Sequence, residues 1–112
     1  MNKDLALLET IDKYITLYDF YKALLTEKQC TYFEEYYFQN MSLQEIATYY
    51  NVSRNAIFDQ IQKTVKLLEN YEAKLNLVST YHKTCDIYDK YLNKKNVSLD
   101  TIKLINELKE LE

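Results

Sequence analysis

The chain of 112 residues contains no glycine, no proline and no tryptophan, with one arginine and one histidine. Strand architectures turn on residues that accept positive φ or preset φ near −65°, so the usual means of building hairpins is missing. Helix interiors exclude the same two residue types, and an all-α fold loses little by lacking them. No apolar run approaches the ~20 residues a bilayer span needs, and the start shows no signal-peptide pattern. The expectation is a cytoplasmic chain with no membrane partner. His82 lies three residues before Cys85 but has no companions for a zinc site, and Cys30 and Cys85 form no Cys-x-x-Cys. Two buried thiols, a seam-packing His82, no metal and no cofactor are therefore expected. No glycine loop cradles a phosphate and no nucleophile is paired with a base in a known motif, so no enzymatic activity is assigned. A strongly basic segment is also missing. The net charge is −3, divided as −1 over residues 1–25, −2 over 26–41, and zero over both 42–75 and 76–112. Monomeric DNA binders usually show a basic face, so this balance weighs against high-affinity nucleic-acid binding.

What is present is helical periodicity. The hydrophobic fraction, 47%, is that of a folded domain rather than a disordered chain. Leu5, Leu8, Ile11, Ile15, Tyr18, Tyr21 and Leu25 recur at steps of three and four, predicting an amphipathic helix over 4–25. Thr26-Glu-Lys-Gln29 reads as a capping box opening a helix over 27–39, with Phe33, Tyr36 and Tyr37 inward. Ser42-Leu-Gln-Glu45 reads as a second box, opening a helix over 43–50 with Leu43, Ile46, Ala47 and Tyr50 inward. Asn51 tolerates the left-handed conformation that ends a helix, Val52 is expected to plug the core, and Ser53 to cap the next helix. From there Ile57, Ile61, Thr64, Leu68, Tyr71, Leu75, Val78, His82, Cys85, Asp89 and Leu92 keep an unbroken 4-3 spacing. This predicts one helix over 54–92, ~58 Å long at ~1.5 Å per residue, with a coiled-coil-like seam. Ser98 caps a last helix over 99–111. The expected organisation is a helix-turn-helix domain over 1–75 and a helical extension over 76–112. That extension serves interaction or a homodimer, in which Leu68, Tyr71, Leu75, Val78 and Leu92 form the seam.

Residues 42–68 carry the functional motif. A small residue where two helices cross (Ala47), an apolar residue in the turn and apolar positions 57 and 61 together specify a helix-turn-helix. The outer side of its second helix presents Ser53, Arg54, Asn55, Asp59, Gln62, Lys63 and Lys66 as candidate nucleic-acid contacts. Arg54 suits bidentate phosphate or guanine contact, Asn55 can pair with adenine, and Lys63 and Lys66 attract phosphates. Asp59 repels them, and residues 42–68 sum to +1. An ion pair with a nearby carboxylate is the alternative for Arg54. Phe58, at the edge of the buried arc, is read as a core or dimer contact. Tyr18, Tyr36, Tyr50 and Tyr71 lie on the helical stripes and read as core rather than as a base-stacking platform.

Two resemblances rest on these residues. Leu25-Thr-Glu-Lys-Gln29, Ser42-Leu-Gln-Glu-Ile-Ala47, Val52-Ser53, Ile57 and Ile61 resemble the fourth region of sigma factors, which binds the promoter −35 element. More closely, Leu17-Tyr-Asp-Phe-Tyr-Lys-Ala-Leu-Leu-Thr-Glu-Lys-Gln29, Val52-Ser-Arg-Asn-Ala-Ile-Phe-Asp59 and Leu68-Glu-Asn-Tyr-Glu-Ala-Lys-Leu75 resemble the YlxM-like family of bacterial helix-turn-helix proteins. That resemblance implies a cytoplasmic bacterial protein encoded beside signal recognition particle genes, with a regulatory role in that pathway. The partners it implies are nucleic acid (DNA or signal recognition particle RNA) and the particle's protein subunit. A protein–protein interaction module whose helix-turn-helix binds no DNA is the competing reading.

Overall fold

The computed structural model describes residues 2–112, with side chains from Asp4 onward. Six α-helices follow in order: α1 (Asn2–Tyr21), α2 (Glu27–Tyr37), α3 (Leu43–Tyr50), α4 (Arg54–Leu75), α5 (Leu77–Leu92) and α6 (Leu99–Glu110). A 3-10 turn, Lys22–Leu24, closes α1, and no strand occurs among the described residues. The all-α fold class is as the composition requires. The chain forms two compact units, Met1–Asn76 and Leu77–Glu112.

Both expected capping boxes form. The Thr26 hydroxyl accepts from the Gln29 amide at 3.2 Å, and Gln29 Oε1 accepts from the Thr26 amide at 2.9 Å. Ser42 and Glu45 repeat the exchange at 3.0 and 3.1 Å. Each box satisfies two of the amides that a helix start leaves without partners, which fixes where α2 and α3 begin.

Helix ends are marked by asparagine. Asn40, Asn51, Asn76 and Asn96 all have φ between 54° and 62°. In a chain without glycine, asparagine is the residue that reaches the left-handed region at least cost. Asn76 corrects the expectation of one helix over 54–92. Its left-handed backbone (φ 54°, ψ 30°) ends α4, and its amide bonds Glu72 O at 2.9 Å. The 4-3 spacing continues across this break because α5 restarts at once with Leu77, so the pattern alone does not reveal it.

In the first unit, α3 and α4 pack through Ile46, Ala47, Ile57 and Ile61, all buried, with Tyr32 of α2 beside them. Leu17, Tyr18 and Tyr21 of α1 are buried, as are Phe33 of α2 and Thr64, Val65 and Leu68 of α4. The Thr64 hydroxyl donates to Gln60 O at 2.9 Å, so its polar atom sits in the core without penalty. Three tyrosine hydroxyls reach carboxylates on other helices: Tyr18 to Glu34, Tyr50 to Glu35, and Tyr21 to Glu72 at 2.5 Å. A hydrogen bond to a charged acceptor is worth about 1.5–3 kcal/mol, so these links add to the apolar packing. The exposed Lys13–Glu69 ion pair, 3.4 Å, contributes little.

Several inward assignments change. The buried part of α1 lies in its last turns, and its first half carries Leu5 and Leu8 more than half exposed. Leu68 is fully buried in the core of the first unit, at 0% exposure, and is therefore no dimer contact. Tyr71 is half-buried, its ring 6.0 Å from that of Tyr21 and its hydroxyl 3.4 Å from Leu24 O, so it too serves this unit. Leu75 is 51% exposed. Val78 and Leu92 are half-buried.

The second unit pairs α5 with α6. Tyr88 and Ile105 are its buried apolar residues. The Tyr88 hydroxyl donates to Glu112 at 3.2 Å, and the Lys109 ammonium lies 5.8 Å from the centre of the Tyr88 ring. Ser98 caps α6, as expected, accepting from the Thr101 amide at 3.1 Å. Cys85 and, in the first unit, Cys30 are free thiols and half-buried rather than buried, while His82 is exposed and packs in no seam.

Candidate nucleic-acid interface

The site is built from α3, the turn after it and the first half of α4. Ala47 has no exposed surface, and its missing side-chain bulk lets α4 cross closely. At the end of α3, Asn51 is left-handed (φ 56°, ψ 45°), and the Val52 amide bonds back to Ala47 O at 3.0 Å. That closure turns the chain and delivers Ser53, whose hydroxyl accepts from the Ala56 amide at 3.0 Å and so starts α4 at Arg54. Val52 is 43% exposed and so does not plug the core; Ile46, Ile57 and Ile61 fill that space.

Every residue named as a candidate contact is exposed: Ser53, Arg54, Asn55, Asp59, Gln62, Lys63 and Lys66. With 3.6 residues per turn, Asn55, Asp59, Gln62, Lys63 and Lys66 share an arc of roughly 100° opposite the buried residues of α4. Arg54 lies about 80° outside this arc, on the side of Ile61 and Val65, and is exposed because it stands in the first turn, at the end of α4. Among the described residues neither Arg54, Lys63 nor Lys66 makes an ion pair, so the carboxylate pairing considered for Arg54 is not formed. Six of the seven side chains offer donors to an acceptor-rich surface, and Asp59 sits among them as the one repulsive group. Phe58 is 45% exposed and stands beside the arc rather than in the core.

Among the described residues no group of three His, Cys, Asp or Glu side chains could hold a metal ion. No helix there is long and apolar enough to cross a membrane. Three tyrosine hydroxyls of the first unit are held neutral to higher pH. Hydrogen bonding to Glu35, with burial, pushes the Tyr50 hydroxyl up to about 12, and burial pushes Tyr37 up to about 12. Tyr18 is raised further by burial and its bond to Glu34.

Sequence reasoning passed over Tyr49. It is 76% exposed at the end of α3, off the Ile46–Ala47–Tyr50 face. The signal was available, since position 49 falls on the outer side of a helix whose inner side was already assigned.

The matching family model, described as "Putative helix-turn-helix protein, YlxM / p13 like", covers residues 8–108. The chain belongs to this family. Among its relatives, a UPF0122 protein of Streptococcus suis is 47% identical over 87 residues, 78% of this chain and 77% of that protein. UPF0122 protein YofM of Lactococcus lactis is 37% identical over 105 residues, covering 94% of this chain and 95% of its own length. A UPF0122 protein of Streptococcus pneumoniae is 39% identical over 108 residues, with 94% and 98% covered. The similarity spans both compact units, so the second belongs to the family as much as the helix-turn-helix does.

Proposed function

We propose that this helix-turn-helix protein is a non-enzymatic regulatory or accessory factor of the signal recognition particle pathway that binds nucleic acid through the first turn and the outer face of α4. The observation that carries the reading is Arg54. It is the only arginine of the chain and stands exposed at the first position of α4, directly after the capped turn. Helix-turn-helix proteins contact base edges from that end of the second helix. The pathway assignment rests on the resemblance to the YlxM-like family, and particle RNA and its protein subunit are the partners to try beside DNA. The modest local charge suits a weak, accessory contact. The test is fluorescence anisotropy of labelled DNA duplex and particle RNA with the wild-type chain and Arg54→Ala over a range of salt.

The second reading, an interaction module that binds no nucleic acid, is favoured by Asp59, which places a negative charge in the middle of the outer arc. A homodimer through the second unit is compatible with either. Ile87, Tyr91, Leu99 and Leu104 are exposed on α5 and α6, while two apolar residues are buried between them. A unit of this size is marginal without cover for such side chains.

A further inference from the structure

The first unit carries an apolar groove on residues other than the outer face of α4. The first half of α1 runs past the corner between α2 and α3, leaving a hollow of about 470 Å³ lined by Leu7, Ile11, Tyr14, Tyr36, Tyr37 and Met41. A second hollow of about 400 Å³ adjoins it, sharing Met41 and Glu45 and ending at the exposed ring of Tyr49. Through these shared residues the two hollows run on from Leu7 of α1 to Tyr49 of α3. An elongated apolar track suits the side-chain row of a helix at i, i+3 or i+4, and i+7.

The charges around the track have one sign. Glu45 lines both hollows and is exposed, and among the described residues no lysine or arginine lines either. Asp4, exposed, lies one turn before Leu7 on the same side of α1. We infer that this groove docks an amphipathic helix of a partner protein, its apolar row seated on Ile11, Tyr37 and Met41 and a flanking lysine or arginine against Glu45. The inference is independent of nucleic-acid binding by α4.

The probe is a phage-displayed library of 18-residue peptides on a helix-forming scaffold, selected on the full chain. Enriched peptides are then synthesised and titrated. The expected sequences carry large apolar residues at helical spacing with lysine or arginine on one flank. Met41→Glu puts a charge in the apolar track and should weaken binding tenfold or more, roughly the cost of facing an apolar row with an unpaired charge. Glu45→Gln is the control for folding, because glutamine at this position keeps the reciprocal capping bond, as Gln29 does in α2. It should melt like wild type yet bind the basic peptide about threefold more weakly, the size of one exposed ion pair, with less dependence on salt. Failure to enrich helical sequences, acidic flanks in those recovered, or affinity unchanged in Glu45→Gln would each overturn the proposal. So would self-association of the wild-type chain that Met41→Glu abolishes, since a second copy would then be the occupant.

Discussion

Asn51 and Asn76 hold nearly the same left-handed backbone, φ 56° and 54°, one ending α3 and the other ending α4. The first makes the turn between α3 and α4. The second divides the chain into its two units. Replacing either by alanine puts a side chain without a local hydrogen-bonding group in a region that costs most residues about 1–2 kcal/mol. Asn51→Ala should therefore lower the unfolding free energy read from urea titration by about 1 kcal/mol, while Asn51→Gly is neutral or stabilising. Equal midpoints for alanine and glycine would contradict the turn as described.

The same pair shows how much of the fold could be read in advance. Asn51 is followed by Val52 and by Ser53, a residue that caps helices, so the break declares itself. Asn76 is followed by Leu77-Val78, and the 4-3 row of apolar residues passes through it. Periodicity reports which side of a helix is buried and is blind to a break that keeps the phase. Leu5 and Leu8 also keep the amphipathic spacing, yet both are exposed. Their exposure follows from where α1 meets its neighbours, a matter of packing that no local spacing encodes. In the candidate site, the exposed residues of α4 and the capped turn were legible because both rest on local rules. The Met41–Glu45 track was not, because it arises where three helices meet.

The tyrosine–glutamate links predict a response to alkali. Tyr50 ionises at about 12 in the folded chain, against 10.0 for an ordinary tyrosine, because its hydroxyl is bonded to Glu35. A raised phenol contributes stability that is fully present below pH 10 and is lost as pH rises from 10 through 12. Urea midpoints should fall over that window. Tyr50→Phe should make the decline shallower and should cost about 1.5–3 kcal/mol near neutral pH, since Glu35 would lose its bonded partner. Glu35 Oε2 is already buried without one. An identical pH profile in Tyr50→Phe would remove this link from the account.

Leu68 and Leu75 share one seam by spacing but differ in burial. Leu68, with no exposed surface, should cost about 2–5 kcal/mol on truncation to alanine. Leu75, half exposed, should change monomer stability by less than about 0.5 kcal/mol. Equal losses in thermal or urea unfolding would contradict the burial pattern.

Self-association through the second unit is checked by light scattering at micromolar concentration. A dimer would give twice the 13.5 kDa of the chain. Charging an exposed apolar side chain of that unit, as in Ile87→Glu or Leu104→Glu, should reduce this mass without unfolding the first unit. A single species at 13.5 kDa in the wild type would end the dimer reading.

The most direct test of the central claim is the affinity of the wild-type chain, Arg54→Ala and Asp59→Asn for labelled DNA duplex and signal recognition particle RNA, followed through a salt series. If the first turn and the outer face of α4 bind nucleic acid, Arg54→Ala should lose about 1–3 kcal/mol of binding and Asp59→Asn should bind more tightly. The logarithm of affinity should fall linearly with that of salt concentration for the wild type. Salt-dependent binding that neither substitution alters, or no binding by any of the three to either nucleic acid, would contradict it.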